Sequence, residues 1–198
     1  MFQHRVRIAA LVLMLTPAAA QADWLFTPVF GPTFGADTFG QEHISFGGAL
    51  AWRDAEGLGL EVDLSYSPNF FEDASDGFLL FSGSGHVFTA MANAIVGLNG
   101  DAAARVQPYV TGGVGLMQMH VVSDGGLFST TTAEPGFNAG GGAMVFATDA
   151  VALRGDLRYV RSFQNQVPSW TRGTDLDVAP GNFDFWRAML GVTFRFGE

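Results

Sequence analysis

The 198-residue sequence contains no cysteine and no lysine. Without cysteine there is neither a disulfide framework nor a thiolate metal site. The ten basic residues are all arginine and face 19 acids, a formal net charge of -9. That balance excludes nucleic acid as a partner, because nucleic acid demands a basic footprint. Charged residues make up 15% of the chain, below the roughly 25% usual for soluble domains. A long apolar run is missing too. Hydrophobic residues reach 48%, yet no segment after the amino-terminal leader approaches the ~20 residues that a membrane helix needs. Apolar residues this abundant must therefore be spread by alternation. The length suits one domain.

The first residues have a separate character. His4, Arg5 and Arg7 form a positive head, Ile8 to Leu15 a short apolar core, and Ala20-Gln21-Ala22 a small-x-small cleavage pattern after Pro17. These features predict a secretory signal peptide over residues 1–22, leaving residues 23–198 as the mature domain. Loss of Arg5 and Arg7 takes the formal charge from -9 to -11. Such acidity permits divalent-cation bridges to anionic lipid.

The carboxy-terminal stretch sets the pattern for the rest. Trp186, Ala188, Leu190, Val192, Phe194 and Phe196 alternate with Arg187, Met189, Gly191, Thr193 and Arg195. A period of two marks a strand with unlike faces, here one wholly apolar and one bearing two arginines. The cleanest repeat of this pattern is Leu58 to Tyr66, with Leu58, Leu60, Val62, Leu64 and Tyr66 opposite Gly59, Glu61, Asp63 and Ser65. Val151, Leu153, Gly155, Leu157 and Tyr159 oppose Ala152, Arg154, Asp156, Arg158 and Val160 in the same way. Further strands are predicted over Trp24–Pro32, Ile44–Arg53, His86–Leu98, Val106–His120 and Gly136–Ala147. The first alternates poorly and carries Pro28 and Pro32, which lack amide donors.

The connections between these eight strands are predicted to run long, short, long, short, long, short, long. Short turns on one side and long loops on the other are the mark of an antiparallel up-and-down transmembrane β-barrel. Closure is obligatory in hydrocarbon, where each unpaired backbone group costs several kcal/mol. The apolar stripe of each strand then meets lipid and the charged stripe lines the lumen. Trp52 and Phe196 at one end, with Tyr66, Tyr159 and Trp186 at the other, fit interfacial aromatic girdles. On this assignment Val192→Arg blocks folding into lipid and Thr193→Arg is better tolerated.

Three segments resemble a known family. Val106 to Leu116 (VQPYVTGGVGL), Phe137 to Gly142 (FNAGGG) and Leu153 to Arg161 (LRGDLRYVR) resemble successive strands of the small outer-membrane β-barrel domain family, the OmpA/OmpX-like porin superfamily. In order, and with the leader and the terminal strand, they extend the resemblance over Asp23 to Glu198. It implies an outer-membrane protein with a structural or surface-interaction role, monomeric and embedded in lipid and lipopolysaccharide. It also implies that Phe194 and Phe196 are read by the barrel-assembly machinery, although Gly197-Glu198 follow the final aromatic where the family commonly ends on it.

Candidate chemistry is sparse. Glu61, Asp63, Arg154, Asp156, Arg158, Arg187 and Arg195 are expected in the lumen as an ion-pair network. An eight-stranded barrel is just wide enough for side chains to fill, which favours a polar plug over a gated ion path. A narrow channel for small or hydrophobic solutes is the alternative. His43-Ile44-Ser45 resembles the His-x-Ser pair of lipid A deacylases, but no acid completes a triad, though Asp37 and Glu42 are near. Ser82 to His86 lacks the strand-turn-helix setting of a nucleophile elbow. The histidines are scattered, so no metal site is expected. The acidic groups Glu72, Asp73, Asp76 and Asp175, Asp177, Asp184 read as solvated loop faces without EF-hand spacing. The glycines of the fifth and sixth strands read as aids to close strand approach. No cofactor and no enzyme activity are expected.

Overall fold

The computed structural model describes residues 22–35, 43–68, 70, 85–100, 103–122, 129–163 and 183–197. The leader at 1–21 and the groups at Asp37, Glu42, Glu72, Asp73, Asp76, Asp175 and Asp177 lie outside the described residues. Eight strands run in chain order: β1 (Asp23–Phe34), β2 (His43–Arg53), β3 (Leu58–Ser67), β4 (Gly85–Gly97), β5 (Val106–Val122), β6 (Ser129–Phe146), β7 (Val151–Ser162) and β8 (Asp184–Phe196). Each pairs antiparallel with its neighbour, and β1 pairs with β8 to close the barrel.

Alternation decides which way each side chain points. On β3, Leu58, Leu60, Val62 and Leu64 are exposed, while Glu61, Asp63, Ser65 and Ser67 are buried. The same inversion holds around the ring: Leu60 is 65% and Leu190 62% exposed, while Arg154 and Arg187 are 2% and 1% exposed. In water this would be an untenable surface, since a large contiguous apolar patch invites association. Against acyl chains it needs no cover.

Two sequence expectations change. First, β6 begins at Ser129 rather than Gly136, and β5 continues through Val122, so much of the expected Val121–Glu134 loop is a projecting hairpin. Register continues there through His120↔Thr131 and Val122↔Ser129. Thr130, Thr131 and Thr132 are β-branched and suit a strand, but they lack the oily stripe that made the other strands visible. With only 123–128 between β5 and β6 and 98–105 between β4 and β5, the long-short alternation fails at these two connections.

Second, β1 is a full strand despite its prolines. On the β8 side its pairing is interrupted around each proline, passing from Phe26↔Phe194 to Val29↔Gly191 and from Phe30↔Leu190 to Thr33↔Arg187 with the register unchanged. The first gap is bridged inside the barrel by the Thr27 and Thr193 hydroxyls, 2.9 Å apart. Thr193 is fully buried there, so an arginine in its place would have to displace its neighbours, which bears on the better tolerance expected above for Thr193→Arg. Phe70 lies in the connection between β3 and β4. Its amide donates to the Gly85 carbonyl at 2.9 Å, and its ring turns inward to full burial.

The tight ends follow local chemistry. At the β2–β3 turn, Asp54 accepts through its carboxylate from the Glu56 and Leu58 amides. Gly57 sits at φ 87°, a left-handed conformation that glycine adopts without steric cost.

Candidate functional site

The lumen is the candidate site, because that is where the barrel gathers its ionisable groups. In a ring of eight, β3 and β7 stand opposite each other, four steps apart in either direction. Glu61 on β3 therefore meets Arg154 and Arg158 on β7 across the width of the barrel. Arg154 Nη1 lies 2.6 Å from Glu61 Oε2, and Arg158 Nη2 lies 2.9 Å from Oε1. Asn93 on β4 donates to the same carboxylate at 3.2 Å.

Asp156, between the two arginines on β7, accepts from both at 3.1 Å. Its second role is to accept the Tyr109 hydroxyl at 3.0 Å, while that oxygen accepts from Arg154 Nε at 2.8 Å. The Arg154 guanidinium also lies over the Tyr109 ring, 5.0 Å from its centroid. Side chains of the charged residues in this cluster are at most 4% exposed. A second pair lies beside it. Arg187 on β8 donates to Asp63 on β3 at 2.5 Å and to Thr89 at 3.3 Å. Arg158 and Arg187 are direct register partners, an arrangement of like charges that costs energy on its own. Each is offset by a carboxylate reaching over from β3.

Glycine makes space for these long side chains. A methyl at Gly113 on β5 would strike the Ala92 carbonyl and the Asn93 side-chain oxygen. The lumen-facing Gly140 and Gly142 likewise lie against backbone of β7.

The charged layer is bounded on both sides by apolar clusters, which a uniformly polar lumen did not lead one to expect. Toward the short-turn end lie Leu25, Ala51, Ile95, Tyr109, Met144, Phe146 and Ala152. Toward the other end lie Phe70, Val87, Met91, Met117, Val160 and Phe185, with Met119 and Phe183 against them. Below the first cluster Arg53 donates to Gln107 Oε1 at 3.1 Å and to the Gly57 carbonyl at 3.4 Å. Sequence reasoning gave neither Phe70 nor Arg53 a place in this site. Phe70 belongs to a loop, and Arg53 to a strand end with no visible partner.

Of the seven expected network members, Arg195 stands apart. It is half-buried at the short-turn end, with Nε 3.4 Å from Asp23 Oδ2 and its guanidinium 3.9 Å from the Phe146 ring centroid. The expected aromatic residues fall in rows on the outer face. Trp52 is in register with Trp24, and Trp24 with Phe196. Tyr66 touches Phe46 at 5.5 Å and Tyr159 touches Trp186 at 5.4 Å between ring centroids. The Tyr159 hydroxyl donates to Asp184 at 2.9 Å. Phe194 and Phe196 are exposed on β8.

His43 and Ser45 share the buried face. The Ser45 hydroxyl is held by Thr33 at 2.6 Å and Ser67 at 2.5 Å, while the His43 ring stacks on Phe70 at 5.1 Å. Ser45 is thus tied into a hydroxyl chain rather than to His43, the base that would have to activate it as a nucleophile. Among the described residues no group of three or more His, Cys, Asp or Glu side chains is placed to hold a metal ion.

Residues 8–196 match the family described as outer membrane protein beta-barrel domain. No curated protein matches the chain. Among solved structures it is similar to Neisserial surface protein A, with a TM-score of 0.61 and 16% identity, covering 88% of this chain and 97% of that one. A major outer membrane protein of Thermus thermophilus gives a TM-score of 0.59 at 16% identity, covering 88% and 99%. Ail, the attachment invasion locus protein of Yersinia pestis, solved with the heparin analogue sucrose octasulfate, gives 0.56 at 14% identity, covering 89% and 99%. At these identities the likeness shows the fold.

Proposed function

From the premise that this chain belongs to the outer membrane protein beta-barrel domain family, we propose that it is a surface-facing barrel whose lumen is closed by its own side chains. It acts through the surface at its long-loop end, not by conducting solutes and not as an enzyme. The supporting observation is the row of ion pairs joining β3 to β7 and β8, almost wholly removed from solvent and capped by apolar clusters on both sides. An open aqueous path needs polar groups left wet along its length, and these are not.

The remaining assignments follow from the same reading. Residues 1–22 act as the export leader. Trp24, Trp52 and Phe196 sit at the periplasmic interface, and Tyr66, Tyr159 and Trp186 at the outer one. Phe194 and Phe196 carry the signal for the assembly machinery, and the barrel stands as a monomer in lipid and lipopolysaccharide.

Planar-bilayer recording of the purified barrel tests the proposal. The expected trace stays at background. A stable open pore would overturn it and favour a narrow channel. The non-enzymatic part is tested by mass spectrometry of lipid A from cells with and without the protein. Identical spectra are expected; a mass change lost in Ser45→Ala would refute it.

A further inference from the structure

Two histidines that are 34 positions apart in sequence stand side by side in the barrel. His86 on β4 and His120 on β5 are direct register partners, and their ring centroids lie 5.0 Å apart with 31° between planes. Both residues are half-buried on the outward face, near the long-loop ends of their strands. We propose that His86 and His120 form a cross-strand chelate for a divalent transition-metal ion of the Zn2+, Cu2+ or Ni2+ type.

Three features of the setting support this. Opposed residues on antiparallel strands have Cβ atoms about 4.5–5.5 Å apart, so the backbone itself holds both imidazoles at chelating distance. Two nitrogens bound at about 2.0–2.1 Å to one tetrahedral ion stand about 3.3 Å apart, and rings centred 5.0 Å apart reach that separation by turning nitrogens toward each other.

The second feature is the support behind one ligand. His120 Nδ1 lies 2.8 Å from the Thr131 hydroxyl on β6. A ligating histidine commonly has its other ring nitrogen hydrogen-bonded, which fixes its orientation and tautomer. In the tautomer whose Nδ1–H donates to that hydroxyl, Nε2 carries the lone pair that would bind the ion. The third is containment of the other ligand, since the Tyr66 ring packs against His86 at 5.2 Å between centroids and limits how far it can swing. Imidazole is a ligand for zinc, copper and nickel rather than for calcium or magnesium, which take oxygen. Two protein ligands leave the rest of the coordination shell to water or to headgroup oxygens.

The test uses the untagged barrel purified from outer membranes into detergent, free of chelator. Titration calorimetry with ZnCl2 should find one ion per chain. His86→Ala and His120→Ala should each weaken that binding at least tenfold while keeping heat-modifiable gel mobility, which reports the folded barrel. Equal zinc affinity in both folded variants would overturn the proposal by moving the ion elsewhere, as would a wild-type protein that binds no zinc at millimolar concentration. A second measurement needs no variant. With one equivalent of CuCl2, electron paramagnetic resonance of the native protein should show two equatorial nitrogen ligands. A spectrum with no nitrogen or a single one would sink the chelate.

Discussion

Glu61→Gln isolates the role of charge at the centre of the lumen. The substitution keeps the shape of the side chain and an acceptor for Asn93 Nδ2, but removes the negative charge that faces Arg154 at 2.6 Å and Arg158 at 2.9 Å. Among the described residues Asp156 is then the one carboxylate paired with both guanidiniums, and Arg158 still has Arg187 as its register neighbour. The side chains of Glu61, Arg154 and Arg158 are no more than 1% exposed, so solvent cannot replace the lost partner. Removing one member of a buried pair costs about 3–5 kcal/mol, because it leaves a charge uncompensated. The assay is urea unfolding of the barrel refolded into lipid vesicles, followed by tryptophan fluorescence. The midpoint should fall at unchanged slope, the signature of altered stability rather than altered compactness. Glu61→Gln combined with Arg154→Met should recover part of the loss, a non-additivity expected of groups in one network. A cost below about 1 kcal/mol, the range of solvent-exposed pairs, would refute the reasoning by requiring that water reaches these groups.

Other expectations follow from the two faces. Val192→Arg places a charge among the acyl chains and should cost roughly 2–4 kcal/mol near the midplane, read as lost heat-modifiable folding. Thr193→Arg should fail also, for the different reason that Thr193 is buried against Thr27; normal folding of that variant would mean the lumen has space there. Gly113→Ala pushes a methyl into the Ala92 carbonyl and Asn93, and should cost about 1–3 kcal/mol by overpacking in the same urea assay. Phe196→Ala should slow assembly in cells while leaving the stability of the refolded barrel within about 1 kcal/mol, since Phe196 is exposed and surface changes are usually small. A pulse-chase of folded protein in the membrane checks it.

Much of the fold was legible because a barrel in lipid writes its two faces into the chain with period two. Leu58 to Tyr66, Val151 to Val160 and Trp186 to Phe196 display that period without interruption, and their charged positions Glu61, Asp63, Arg154, Asp156, Arg158 and Arg187 all lie inside. The partnerships were not legible. Glu61 meets Arg154 only because closure sets β3 opposite β7, and nothing local encodes that distance. Arg195 has the parity of a lumen residue but stands at a strand end, where Asp23 is nearer than the central acids. The hairpin above Gly136 was hidden because it rises beyond the apolar belt and keeps only β-branching as a cue. His86 and His120 were hidden for the same reason as the ion pairs: register, not sequence spacing, makes them neighbours. Phe70 offered no periodic signal, since it caps the lumen from a connection.

Site-directed spin labelling along β3 tests the two-faced barrel most directly, and the absence of native cysteine leaves each introduced thiol unambiguous. Labels at Leu60, Val62 and Leu64 in lipid vesicles should collide with dissolved oxygen and not with a water-soluble nickel chelate. Labels at Glu61 and Asp63 should be shielded from both. Contact of the Glu61 or Asp63 labels with the nickel chelate, or an alternation of the opposite phase, would contradict the account.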